Sequence, residues 1–172
     1  AYFASDGMKW IPVVDSVART PRGGVRSDGI IFSPDSQHWA FVALEEKSHD
    51  CIIDDAIVCT HESIAPDSPV LSENGRWACV YAEGGESRLC IDGKDTGPAF
   101  PAENMRRPFF SPCGEHVALE YKSGDVWRFM LDGNPLPGEY EIIPEGISRF
   151  APDGRLVTIA KDATGVHIFV DG

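Results

Sequence analysis

The chain of 172 residues has no run of about 18 apolar residues, so no segment is suited to cross a bilayer as a helix. Basic residues are scarce: 15 Lys and Arg stand against 27 Asp and Glu, for a net charge of −12. Such a chain lacks the cationic surface that supplies most nucleic-acid affinity, so no nucleic-acid partner is expected. No C-x-x-C pair is present, which removes the usual spacing of a zinc site. No G-x-G-x-x-G or P-loop occurs, and Gly146-Ile147-Ser148-Arg149-Phe150 lacks the closing Gly of a nucleophile elbow. His61-Glu62 opens like a zinc-protease motif, but Ala65 stands where the second His must be. Asp92-Gly93-Lys94-Asp95-Thr96-Gly97 has two carboxylates and lacks the closing Glu of a calcium loop, so a solvated turn is expected there. No metal, no cofactor and no catalytic residues are expected, and the chain by itself is not expected to be an enzyme. Helix is nearly missing too, because no stretch holds a 3.6-residue apolar period for three turns.

What remains is ample for a core. Hydrophobic residues make up 42% of the chain, with nine Phe, four Trp and four Tyr, which argues against disorder. The length fits a single domain, residues 1–172. The five cysteines, Cys51, Cys59, Cys79, Cys90 and Cys113, cannot all pair within one chain. Cys79 and Cys90 sit in apolar runs, where a free Cys serves as a small hydrophobe. The chain starts at Ala1 rather than Met, which reads as a processed or cut product.

An internal repeat organises the chain. Ile30 begins IIFSPDSQHWAF, Pro69 begins PVLSENGRWACV, Pro108 begins PFFSPCGEHVAL and Ser148 begins SRFAPDGRLVTI. The anchors Phe32, Leu71, Phe110 and Phe150 are spaced by 39, 39 and 40 residues. A second set, Asp15, Asp54, Asp92, Asp132 and Asp171, keeps spacings of 39, 38, 40 and 39. Two independent anchors with one period leave little room for chance.

Each unit predicts four short strands, a to d. Strand a ends at the anchor, and the Ser-Pro-Asp-Gly type tetrad turns the chain. Asp35 and Asp153 are read as turn formers. Strand b follows as WAFVALE, WACVYAE, HVALEYK and LVTIAKD. Strand c closes on an Asp-Gly type hairpin turn, and strand d is weakly marked. Strands b and c are apolar at successive positions, as in sheets covered on both faces. An all-β fold follows: a β-propeller of about 39-residue, four-stranded repeats. A β-solenoid is the structural alternative. The units are about 1–27 (partial), 28–66, 67–105, 106–145 and 146–172 (partial), giving 18 strands. Either about five blades close a ring with incomplete terminal blades, or the chain is a segment of a larger ring. The closed ring, or an oligomer that completes one, is favoured over an isolated open arc, which would expose an apolar blade face. Buried anchors would make Phe110→Ala cost roughly 3–5 kcal/mol.

Phe32-Ser33-Pro34-Asp35, Phe110-Ser111-Pro112 and Ala151-Pro152-Asp153-Gly154, with Ile91-Asp92-Gly93, Leu131-Asp132-Gly133 and Val170-Asp171-Gly172, resemble the TolB-type, WD40-like propeller repeats of bacteria. The resemblance covers nearly the whole chain. Glu73-Asn74 and Cys113 depart from the turn pattern. It implies a binding scaffold, periplasmic or secreted in some members. The odd cysteine count leaves a cytoplasmic location open.

One constellation draws a site expectation. His38, Trp77 and His116 each stand six residues after an anchor, with Leu156 in the fourth unit. Equivalent positions in successive blades would share one surface, where an aromatic face and imidazoles suit a protein side chain or a glycan. The alternative is that the position merely opens strand b. Arg106-Arg107, the one adjacent basic pair, is read as a solvated loop. The functional expectation is a non-enzymatic scaffold with a protein or glycan partner, and a homo-oligomer could complete the ring. The alternatives are the gating portion of a larger hydrolase and a purely structural repeat unit.

Overall fold

The computed structural model describes residues 1–101 and 104–170. Asp171 and Gly172, which carry the last repeat anchor, lie outside the described residues. Twenty strands form five antiparallel sheets, and the described residues contain no helix. The first sheet has β1 (Tyr2–Ser5), β2 (Trp10–Val14) and β3 (Val17–Ala18). The second has β4 (Gly24–Val25), β5 (Ile31–Phe32), β6 (Trp39–Leu44), β7 (His49–Ile53) and β8 (Ala56–His61). The third has β9 (Ser63–Ile64), β10 (Val70–Leu71), β11 (Trp77–Glu83), β12 (Glu86–Ile91) and β13 (Lys94–Pro101). The fourth has β14 (Phe109–Phe110), β15 (Val117–Ser123), β16 (Val126–Leu131) and β17 (Asn134–Pro135). The fifth has β18 (Arg149–Phe150), β19 (Leu156–Asp162) and β20 (Gly165–Val170).

The count exceeds 18 because strand a is broken in two. β4 and β5 both pair with β6, and β9 and β10 both pair with β11. β4 and β9 lie before residues 28 and 67, so these sheets start upstream of the sequence-derived unit limits. In the fourth and fifth sheets the upstream piece shrinks to single bridges, Met105 to Tyr121 and Ile142 to Lys161. Ile142 therefore pairs with the fifth sheet rather than with strand d of the fourth. The break carries Pro66, Pro69, Pro108 and Pro144, which cannot donate to a ladder.

The turns follow from their residues. At the c–d hairpins both central residues take positive φ: Asp54 and Asp55 at 47° and 70°, Asp92 and Gly93 at 50° and 80°, Asp132 and Gly133 at 49° and 79°. A two-residue type I′ loop requires that, and Asp and Gly tolerate it. At the a–b turns a buried Ser holds the loop closed. Ser33 Oγ accepts the His38 N–H at 2.9 Å, Ser72 Oγ the Arg76 N–H at 2.9 Å, and Ser111 Oγ the His116 N–H at 3.0 Å.

Alternate residues of each strand pack on opposite neighbours. Ala40, Val42, Cys51 and Ile53 of the second sheet meet Leu71, Trp77, Cys79, Tyr81 and Cys90 of the third. Val70, Ala78, Val80, Leu89 and Ile91 meet Val117, Leu119 and Met130 of the fourth. The second, third and fourth sheets are thus covered on both faces. Among the described residues the expected closed ring does not form: no strand of the first sheet makes more than a marginal contact with the fifth, and the five sheets make an open arc. In the fifth sheet Ile159 pairs Ile168 and Val157 pairs Val170, which puts these residues on one face with Val166. On that face Ile168 is 70% exposed and Val166 68%. Among the described residues no neighbouring sheet covers it.

Openness also explains the uneven burial of the anchors. Leu71 and Phe150 are buried, Phe110 is half-buried, and Phe32 is 42% exposed. Phe32 occupies the register position of Leu71, whose side chain meets the preceding sheet. The sheet preceding Phe32 has only strands b, c and d among the described residues, so no inner strand covers the ring.

Candidate functional site

The constellation of His38, Trp77 and His116 does not share one register position. The a–b turn of the third sheet spans Ser72 to Arg76, one residue shorter than Ser33 to His38 or Ser111 to His116. Counting six from the anchor therefore lands one residue too far. The residue equivalent to His38 and His116 is Arg76. Trp77 is instead the first residue of β11, is 9% exposed and sits in the core with Leu71 and Cys79.

His38, Arg76 and His116 share one partner type, the c–d turn aspartate. His38 Nδ1 lies 2.6 Å from Asp54 Oδ2, Arg76 Nε donates to Asp92 Oδ2 at 2.8 Å, and His116 Nδ1 lies 2.7 Å from Asp132 Oδ2. The other oxygen of each carboxylate accepts the first N–H of strand b: Trp39 at 3.1 Å, Trp77 at 2.9 Å and Val117 at 2.8 Å. The recurring Asp thus ties the two turns of each blade together. The Asp54 bond raises the His38 pKa above its ordinary value. Two of these side chains also reach the next blade. A Cβ at Gly75 would sit 2.9 Å from His38 Nε2, and Arg76 Nη1 donates to the Glu115 carbonyl at 2.5 Å. This rim braces one blade against the next.

The side lined by the broken a strands offers a concave wall. A cavity of about 590 Å³ opens there between the third, fourth and fifth sheets. Its apolar floor includes Leu71, Phe109, Phe110 and Phe150. Arg106, Arg107 and Arg149 face Asp67, Glu73, Glu120 and Glu145 around it. Arg106 is not the solvated loop residue expected from the sequence. It is half-buried, lies 3.7 Å over the Trp127 ring, and donates to the Ile143 carbonyl at 2.9 Å and to Glu120. Glu120, 4% exposed, also accepts from Ser148. Arg26 does the same at the preceding blade interface, donating to the carbonyls of Ile64 at 3.1 Å, Ala65 at 2.8 Å and Ser68. Arg107 and Arg149 are different. Both are exposed, and neither guanidinium has an ion pair or hydrogen bond among the described residues. Sequence reasoning missed Arg149 because nothing local marks it. Only the neighbouring blades bring it to the same wall as Arg107.

Other sequence candidates resolve into structure. His61 stacks on Tyr81 with ring centroids 3.4 Å apart. Asp35 accepts from Ser33 at 2.5 Å and from the Gln37 N–H at 3.1 Å, as a turn former does. Asp153 accepts from Arg155 Nε at 2.8 Å in the matching turn of the fifth sheet. Among the described residues no group of three or more His, Cys, Asp or Glu is placed to hold a metal ion. Among the same residues no helix is long and apolar enough to cross a membrane.

No protein-family model and no curated protein matches the sequence. Solved structures do match in shape. TolB from Acinetobacter baumannii matches at a TM-score of 0.50 and 17% identity, over 96% of this chain and 50% of that one. A eukaryotic initiation factor matches at 0.53 and 11%, over 98% of this chain and 50% of that one. A 6-phosphogluconolactonase-type protein from Bacteroides uniformis matches at 0.40 and 14%, over 98% of this chain and 68% of that one. The chain spans about half the length of the first two. The five stacked antiparallel sheets and the first two shapes agree: the fold is a partial β-propeller.

Proposed function

We propose that this chain is a non-enzymatic propeller scaffold that binds a protein segment along its concave wall. The unpaired guanidinium groups of Arg107 and Arg149, set beside Phe109 and Phe110 in a cavity of about 590 Å³, carry the reading. Arg149 lies on β18 and Arg107 stands two residues before β14, and side chains exposed on such a wall are the usual means by which repeat folds recognise partners. Asp67, Glu73 and Glu145 supply the opposite sign on the same wall. A ligand that matches both signs and adds an apolar group is met more readily by a polypeptide than by a neutral glycan.

The test is amide chemical-shift mapping on addition of a mixed-sequence peptide library, with soluble oligosaccharides as a parallel arm. Shifts confined to the wall, weakened at least tenfold by Arg107→Ala with Arg149→Ala, support the reading. Shifts on another face, or turnover of any library member, sink it. The uncovered face bearing Ile159, Val166 and Ile168 favours a second reading, in which another copy of the chain packs there. Light scattering over a tenfold concentration range checks that one: a constant monomer mass removes it.

A further inference from the structure

Four of the five cysteines form a connected chain of thiols across one blade interface. Cys51 on β7 directly opposes Cys59 on β8, and Cys79 on β11 directly opposes Cys90 on β12. Cys59 Sγ lies 3.9 Å from Cys79 Sγ, and that contact joins the second sheet to the third. Cys51, Cys79 and Cys90 are buried in the apolar cluster between those sheets, and Cys59 packs against it. Of the four, Cys59 alone is half-buried rather than buried, because it lies on the outer strand of its sheet.

The chain is electrically uneven. Contact with the Cys51 thiol, and next with the Cys79 thiol, holds the Cys59 sulfur well below the usual thiol range, with nearby His61 adding to the effect. The same contacts, with burial, push Cys51 and Cys79 up. A sulfur with thiolate character at the solvent side, backed by protonated thiols, is the arrangement that oxidants select.

We propose that Cys59 is an oxidation site for hydroperoxides and that Cys79 is its resolving partner, so that oxidation joins the second blade to the third by a disulfide. In the first step the Cys59 thiolate attacks the outer peroxide oxygen. An S–O bond forms as the O–O bond breaks, and the departing oxygen takes up a proton to leave as water or an alcohol. The sulfur is oxidised by two electrons to a sulfenic acid while the peroxide is reduced. In the second step the Cys79 sulfur gives up its proton and attacks the Cys59 sulfur. The S–S bond forms, the S–O bond breaks, and hydroxide leaves with that proton as water. The sulfurs must close from 3.9 Å to a bond length of about 2.05 Å, a movement within reach of side-chain rotation and a small shift of β8. Cys90, opposite Cys79, stands behind the pair as a further thiol for exchange.

The unaltered chain supplies the first test. At pH 6 the folded protein is alkylated with limiting iodoacetamide and the sites are read by peptide mass spectrometry. Cys59 reacts at least about tenfold faster than the exposed Cys113. Equal or slower reaction overturns the assignment of Cys59. The second test treats a Cys113→Ser protein with one equivalent of hydrogen peroxide, caps free thiols and maps peptides without reduction. A Cys59–Cys79 linkage with two thiols lost is expected, and Cys79→Ser stops at a sulfenic acid that dimedone traps. A Cys51–Cys59 linkage, or four free thiols after treatment, overturns the role of Cys79.

Discussion

At the scale of the residue, two histidines respond to pH with opposite signs. The Asp54 bond raises His38 above 6.5 in the folded chain. A raised histidine contributes stability that is fully present below about 6.5 and is lost as pH climbs through the folded value. The imidazole is partly exposed, so screening keeps the contribution under about 1 kcal/mol. Denaturant melts of His38→Gln should lose stability at pH 6 and match the parent at pH 9; equal losses at both would refute the pairing. His49 is lowered by burial and by Arg26, and its Nδ1 accepts the Ile64 N–H at 3.0 Å. Its contribution holds above 6.5 and fades as pH falls below that value. The anchor aromatics rank by their cover. Phe150→Ala should cost about 3–5 kcal/mol. Phe32→Ala should cost about 1 kcal/mol, because much of that ring is already in water. Phe110→Ala falls between them, below the full cost that the repeat alone implies. Thermal melts of the three variants give the order directly, and an equal cost at Phe32 and Phe150 would contradict the open first interface.

At the scale of the element, the broken inner strand sets the energetics. A strand interrupted by proline leaves carbonyls without ladder partners, and an arginine from the preceding blade takes them up. Arg26 does so for Ile64, Ala65 and Ser68, and Arg106 for Ile143. Arg106→Ala should destabilise by about 3–5 kcal/mol, since it strands the buried Glu120 carboxylate. Adding Glu120→Gln should recover some of that loss, because the uncompensated charge is gone. An additive loss in the double variant would show that the pair is not coupled. The strands themselves were legible in the sequence: β6, β11 and β15 are apolar at successive positions and lie covered on both faces. The break was not legible. β4 and β9 are two residues each, too short for any periodicity to register. The site residues suffered a related error. A single-residue deletion in the third a–b turn moved Trp77 into the place where Arg76 belongs. The ion pairs of Asp54, Asp92 and Asp132 restore the alignment, and their spacing in the sequence carried that signal.

At the scale of the whole molecule, the arc should be unevenly stable. Central sheets have neighbours on both faces, whereas β19 and β20 leave Ile159, Val166 and Ile168 open. Hydrogen exchange should therefore be slowest in β11, β12 and β15 and fastest in β1 and β20. Uniform protection across all five sheets would mean that the ends are covered in solution. The period, the turns, the all-β class and the propeller type were determined by the sequence alone. Those features rest on contacts within about 40 residues, where the order of Ser, Pro, Asp and Gly dictates each bend. Three matters were decided only by tertiary structure: whether the ring closes, which arginines stay unpaired on the concave wall, and how four cysteines align across one interface. Each depends on the angle and register between neighbouring sheets. That relation arises from packing side chains on opposed faces, and no local pattern of residues encodes it.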